Sequence, residues 1–296
     1  MTQTTNPMEV LGIEYATDER ERRTFRQVLG TALVDHRGEI GMTSFATMAE
    51  IVGGSAFYGA QPPGSATVQS RLSLSVPSPA RPGSQVSGVG HLVGSSGGHG
   101  VTSAELIDES GAVVCLAMGR GVVVSRAAGE APEHESGRPA GSIEPIDQPP
   151  LPAPLDPGLT GAQILAGLAD GSVPAGPIQR LLGLRVVAVG ATRIELNATP
   201  SPAMANKMGT MHGGIVMALL AEAASLGAEL SARAGNRYQV SDISVSFLRS
   251  PALDQGDLTI TVEQVKAGRR ICSVTAAMIQ PDGTVVAQAT ADATAA

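Results

Sequence analysis

The apolar positions of this chain follow two periods. In the C-terminal half, "LGLRVVAVGATRIELNAT" has the alternating and β-branched residues of strands, and a Pro-, Asn- and Gly-rich loop then leads into "GGIVMALLAEAASLGAELSARA". That segment is apolar nearly all round, which predicts a buried helix. Four further strand-like runs follow, "YQVSDISVSFLRS", "DLTITVEQVKAG", "RRICSVTAAMIQ" and "TVVAQATADAT", separated by turn signals such as Pro281-Asp282-Gly283. The order predicts one central helix wrapped by an antiparallel sheet.

The N-terminal half repeats that order. Ser78-Pro79-Ala80 and Ser250-Pro251-Ala252, Ala49-Glu50 and Ala221-Glu222, and Gly111 and Gly283, each just before a Val-Val pair, all stand 172 positions apart. One ungapped register shared by three anchors points to a duplication; the alternative is that two Gly- and Pro-rich halves merely use common turn residues. Between them, residues 129–158 ("GEAPEHESGRPAGSIEPIDQPPLPAPLDPG") are dense in Pro, Gly and charge without either period, which predicts a linker. The expected organisation is α+β, with one domain over 1–128 and a second over 159–296.

Composition agrees with two folded units. At 296 residues the length favours two ordinary domains, and 43% apolar with 16% charged residues is enough to bury their cores. With no Trp and 2% aromatics, those cores must be built from small aliphatic side chains. A formal net charge of -7 argues against a general nucleic-acid binder. Cys115 and Cys272 lie apart in apolar strand-like runs and read as buried small hydrophobes. His36, His91, His99 and His134 lack metal-site spacing, so no metal is expected. Met1–Glu9 has no apolar signal core, and no apolar run reaches membrane-spanning length; a cytoplasmic protein without membrane partners is the expectation.

The segment "NKMGTMHGGIVMALLAEAAS" carries the chemistry. With Asn206, then His212 six positions on, then Gly213-Gly214 opening the helix, it resembles the acyl-CoA thioesterases of the hotdog superfamily, in particular their phenylacetate-pathway (PaaI-like) branch. "FLRSPALDQGD", "GRR" and "PDGTVVAQATA" are similar to that family's later strands, so the resemblance spans nearly the whole second half. It implies a double hotdog working as a pair, each site built from one half's His-Gly loop and the other half's helix. It also implies coenzyme A as part of the substrate, with no separate cofactor.

This chain departs from the family's pattern at the acid. The helix carboxylate usually sits nine residues after the His; here that residue is Ala221, and Glu222 follows at ten, about 100° further round the helix. In the first half the duplication puts Ile40 at the place of His212 and Val34 at that of Asn206, leaving at most one complete loop per chain.

Thioester hydrolysis requires an oxyanion donor and a group that attacks or activates water. The Gly213 N–H, at the first turn of a buried helix, is a suitable donor, with His212 and Asn206 expected to position thioester and water. The bland alternative is a tight turn capped by His212. Glu50 and Glu222, carboxylates on apolar helices, must be paired, solvated or raised in pKa. If sites form across the pair, Glu50 faces the His212 loop as general base or nucleophile; either Glu could equally serve an inter-domain or oligomer contact, and Glu222, Ser225 and Glu229 could form a solvated stripe. Gly214 and Ser241 are candidate substrate contacts. Arg249, Arg269 and Arg270 are candidates for the coenzyme A phosphates, or ordinary surface arginines at strand ends.

The expected activity is hydrolysis of acyl-CoA to a carboxylic acid and free coenzyme A at a site between the halves. Alternatives are a non-catalytic acyl-CoA or acyl-ligand binding protein and, more remotely, a hotdog hydratase or dehydratase. Hotdog pairs associate further, so a homo-oligomer, dimer or trimer of double hotdogs, is also expected.

Overall fold

A computed structural model describes residues 6–19, 22–125 and 148–296. The first half contains α1 (Pro7–Leu11), β1 (Ile13–Glu19), β2 (Arg22–Val28), α2 (Thr43–Gly59), β3 (Ala66–Ser75), β4 (Gln85–Ser96), β5 (His99–Asp108) and β6 (Val113–Val124). The second contains α3 (Gly161–Asp170), α4 (Pro177–Leu181), β7 (Leu184–Val189), β8 (Arg193–Ala198), α5 (Gly213–Glu229), β9 (Tyr238–Phe247), β10 (Leu258–Ala267), β11 (Ile271–Ile279) and β12 (Val285–Ala295).

The strands form one 12-stranded antiparallel sheet in the order β1-β2-β4-β5-β6-β3-β9-β12-β11-β10-β8-β7. Reading outward from its centre, each half runs in corresponding order, and the halves join where β3 pairs with β9, Leu72 opposite Val245 and Leu74 opposite Ile243. Hydroxyls fasten that seam: Ser73 and Ser244 lie 2.9 Å apart, and Ser75 donates to Asp242 at 2.6 Å. The first residues of β3 and β9, of β5 and β11, and of β6 and β12 each differ by 172. The architecture is a double hotdog, each half a long helix wrapped by antiparallel strands.

Alternation explains how the sheet holds its helices. On β5, Gly100, Thr102, Ala104 and Leu106 face inward, and on β12 Ala287, Ala289, Ala291 and Ala293 do the same. These small inward residues let α2 and α5 lie close to the strands. The two helices also touch one another across the joint. Thr47 Oγ1 donates to the Gly214 carbonyl at 2.9 Å, and a Cβ on Gly214 would stand 2.8 Å from the Thr47 Cα. Gly214 is therefore a crossing-point residue, and the expectation that it contacts substrate is corrected: Thr47 covers it.

Residues 129–147 of the expected linker, and with them His134, lie outside the described residues. Residues 148–158 run along the first half, where Thr31 Oγ1 donates to the Pro149 carbonyl at 2.6 Å. The chain then reaches over the first half's degenerate loop. Ile178 N–H donates to the Val34 carbonyl at 3.0 Å, and Gly176 lies so close that a Cβ there would meet the Asp35–His36 peptide at 2.3 Å. Among the described residues no helix is long and apolar enough to cross a membrane.

Candidate active site

The loop before α5 is built by Asn206. Its Oδ1 accepts the N–H groups of Met208 and Thr210 at 2.9 and 3.2 Å, and its Nδ2 donates to Thr210 Oγ1 at 2.9 Å. Its polar atoms are thus engaged within the loop, and Asn206 shapes the turn that delivers His212. His212 caps α5, its Nδ1 accepting the Gly214 N–H at 3.0 Å. With that lone pair engaged, the neutral ring carries its proton on Nε2. Among the described residues the Gly213 N–H has no acceptor, as the geometry of a helix N-terminus dictates.

Glu50 comes to this loop from the other half. Its Oε2 lies 3.5 Å from His212 Nδ1, and its side chain keeps 12% of its surface accessible. A Cβ on Gly213 would stand 2.9 Å from Glu50 Oε1. The glycine thus lets the carboxylate lie against the end of α5. Behind Glu50, Gln69 on β3 donates through Nε2 to the Glu50 carbonyl at 2.8 Å, tying the middle of α2 to the sheet. Gln69 escaped the sequence reading, because a lone Gln on an alternating strand looks like any outward polar residue.

These groups open onto a cavity of about 600 Å³ lined by both halves, including Glu50, Gln69, His212, Gly213 and Arg249. Lys207 also lines it, its Nζ 5.7 Å from the centre of the Tyr58 ring. The structure separates the other candidates from it. Ser241 faces β12 and donates to the Asp292 carbonyl at 3.2 Å. Arg269 and Arg270 sit in the β10–β11 hairpin beside the Tyr238 end of β9, whereas Arg249 follows the Phe247 end. A ten-residue strand spans about 30 Å, so the three arginines do not share one mouth.

The equivalent place around Glu222 is closed, with a residual cavity of about 20 Å³. Glu222 is 3% exposed; its Oε2 accepts from Thr43 Oγ1 and its Oε1 from Gln179 Nε2, both at 2.8 Å. Burial, reinforced by nearby Asp35, holds this carboxyl above the ordinary range despite those hydrogen bonds. Next to it His36 Nε2 lies 3.0 Å from Glu229 Oε2, and Arg37 pairs with the same carboxylate. Burial favours a neutral His36, but the hydrogen bond and charge of Glu229 outweigh it and raise the imidazole pKa. Burial likewise pushes Glu229 up, and His36 and Arg37 more than reverse it, holding Glu229 below its ordinary value.

The solvated stripe on α5 is therefore corrected: Glu222 and Glu229 are buried polar contacts between the halves. His36, to which sequence spacing assigned no role, is part of them. Cys115 and Cys272 are both buried and free, and burial pushes the Cys115 thiol up to about 12. Among the described residues no group of His, Cys, Asp and Glu is arranged to hold a metal.

Comparison with known proteins agrees with this architecture. Residues 201–294 match the family model of the acyl-CoA thioesterase N-terminal domain. The tesB protein of Mycobacterium avium subsp. paratuberculosis is similar at 12% identity with a TM-score of 0.62, covering 98% of each chain. Acyl-CoA thioesterase II TesB2 from Mycobacterium marinum is similar at 12% identity and TM-score 0.59, covering 98% of this chain and 97% of the other. A hot dog fold protein from Alicyclobacillus acidocaldarius gives 14% and 0.62, covering 95% of each chain. At such identities these structures speak for the fold. A search of curated protein sequences gave no match.

Proposed function

We propose that this protein is an acyl-CoA thioesterase with one working site per chain, at the Glu50–His212–Gly213 junction. The observation that carries the reading is a partly accessible carboxylate, 3.5 Å from a histidine and beside an unpaired helix-terminal N–H, on the wall of a large cavity. The thioesterase family match over 201–294 covers the loop and helix that supply His212 and Gly213.

In this reading the thioester oxygen accepts the Gly213 N–H, where the positive end of α5 favours developing negative charge. Glu50 takes a proton from a water whose oxygen attacks the carbonyl carbon. The tetrahedral intermediate collapses by breaking the C–S bond, the electron pair leaving on sulfur, and Glu50 returns the proton to the thiolate. His212 offers its Nε2–H to the thioester while its Nδ1 holds the end of α5. Arg249 and Lys207 supply positive charge for the coenzyme A phosphates. The likeness of the second half to the PaaI-like branch supports the same assignment of the His-Gly loop. A cytoplasmic setting and a homo-oligomer of double hotdogs belong to the same proposal.

The test is release of free thiol from a panel of acyl-CoA esters by wild type, Glu50→Gln and His212→Ala. Turnover by the wild type that falls at least about 100-fold in Glu50→Gln supports the reading. Saturable binding of CoA esters without any thiol release would replace it with a binding protein, and hydration of an enoyl-CoA with a hydratase.

A further inference from the structure

One face of α2 carries a carboxylate, two glycines and a ring in sequence. Glu50, Gly53, Gly54 and Phe57 fall at the spacings that align along a helix, and all four line the cavity. Phe57 lies two turns, about 10 Å, beyond Glu50. Glycine inside a helix is unfavourable relative to Ala, so its presence twice calls for a reason in what surrounds it. Backbone crowding does not supply one at Gly53, where an added Cβ would find only Thr102 Oγ1 at 3.4 Å, nor at Gly54, where it would meet the end of the Gln69 side chain at 3.1 Å. What the missing side chains do leave is space between the acid and the ring.

The ring itself sits in a slot made by two further glycines. A Cβ on Gly121 would stand 2.3 Å from Phe57, and one on Gly100 would stand 2.5 Å from it. Gly121 lines the cavity and Gly100 does not. Phe57 thus fills the space between the cavity and Gly100 and Leu92, and removing its ring would add that space to the cavity.

The duplication provides an internal control. In the closed half the positions of Gly53, Gly54 and Phe57 are held by Ser225, Leu226 and Glu229, and those of Gly100 and Gly121 by Cys272 and Ala293. Each of these four glycines of the open half is replaced by a residue with a side chain in the half whose cavity is about 20 Å³.

We infer that the acyl group of the substrate lies along α2 over Gly53 and Gly54 and that Phe57 is the end wall that sets its maximum length. With C–C bonds of about 1.5 Å, the span to the ring admits a straight chain of roughly eight carbons. This rests on the thioesterase reading for its substrate, and Phe57 is a specificity-determining residue that takes no part in the bond-breaking step.

The experiment is the chain-length profile, from acetyl to palmitoyl, of both CoA-ester binding and thiol release, for wild type, Phe57→Ala and Gly53→Leu. Phe57→Ala is expected to move the cutoff to longer chains by several carbons. Gly53→Leu, which replaces a poor helix former by a good one and so should fold, is expected to keep acetyl-CoA and lose octanoyl-CoA at least tenfold. If Phe57→Ala folds too poorly to assay, Gly53→Leu decides alone. Profiles that match the wild type in every variant that folds would overturn the channel while leaving the thioesterase reading intact. If the wild type releases no thiol, the thioesterase reading falls, and the binding profiles still test the channel.

Discussion

Glu50 and Glu222 occupy equivalent positions on duplicated helices, yet Glu50 lies 3.5 Å from His212 on an open cavity while Glu222 is sealed between Thr43 and Gln179 at 2.8 Å each. Each carboxylate is contacted by the other half of the chain. The first half's helix is served by the second half's intact loop. The second half's helix meets Ile40 and Thr43, with Gln179 brought in from α4.

This asymmetry predicts opposite outcomes for the same substitution. Glu50→Gln should lower turnover by about two to four powers of ten, the usual worth of a general base, while Glu222→Gln should leave kcat/KM within threefold of wild type. Steady-state kinetics on one good substrate, with melting temperatures alongside, checks both. Equal losses in the two variants would mean that the closed half takes part in turnover.

The adjacent glycines of α5 separate chemistry from stability. Gly213→Ala places a methyl group 2.9 Å from Glu50 Oε1 and should cost at least tenfold in kcat with little change in melting temperature. Gly214→Ala pushes against Thr47 backbone at 2.8 Å and should destabilise the protein by about 1–3 kcal/mol. Thermal unfolding and initial rates on both variants distinguish the two effects.

Stability should fall on the alkaline side because of the closed site. His36 has a raised pKa in the fold, so its contribution is complete below the ordinary 6.5 and is lost as pH rises through the folded value. Glu222, raised above 4.5, acts with the same sign: the fold binds its proton more tightly than the unfolded chain, and that contribution also fades with rising pH. Glu229, depressed below 4.5, contributes above that value and is lost only as pH falls through its folded pKa. Melting temperature measured upward from pH 5 should decline with rising pH in the wild type, and decline less in Glu222→Gln and, above pH 6.5, in His36→Gln. An identical slope in all three proteins would refute the linkage.

Arg249 lines the cavity and Arg269 and Arg270 do not. Arg249→Gln should raise KM for CoA esters severalfold, more at low salt than at high, as expected for a phosphate contact in solvent. It should leave a short phosphate-free thioester analogue unaffected. The double change of Arg269 and Arg270 to Gln should alter neither; kinetics with both substrate types at two ionic strengths would show it.

Much of this protein is legible in its sequence because the relevant forces are local. The strand alternation, the two buried helices and the 172-residue repeat are properties of short windows and of the chain compared with itself. So is the His-Gly loop, whose Asn206 and His212 side-chain hydrogen bonds reach only two to five residues along the chain. The choice between the two glutamates was not legible. Both follow an alanine in an apolar helix, and what distinguishes them stands far away in sequence: His212 and Gly213 beside Glu50, Thr43 and Gln179 beside Glu222. The positions of Ser241, Arg269 and Arg270 away from the cavity were not legible for the same reason, since spacing along a strand does not say which end of the sheet meets the other half. Local periodicity decided which residues are inside. Only the packing of one half on the other decided which buried carboxylate keeps a cavity and which becomes part of the core.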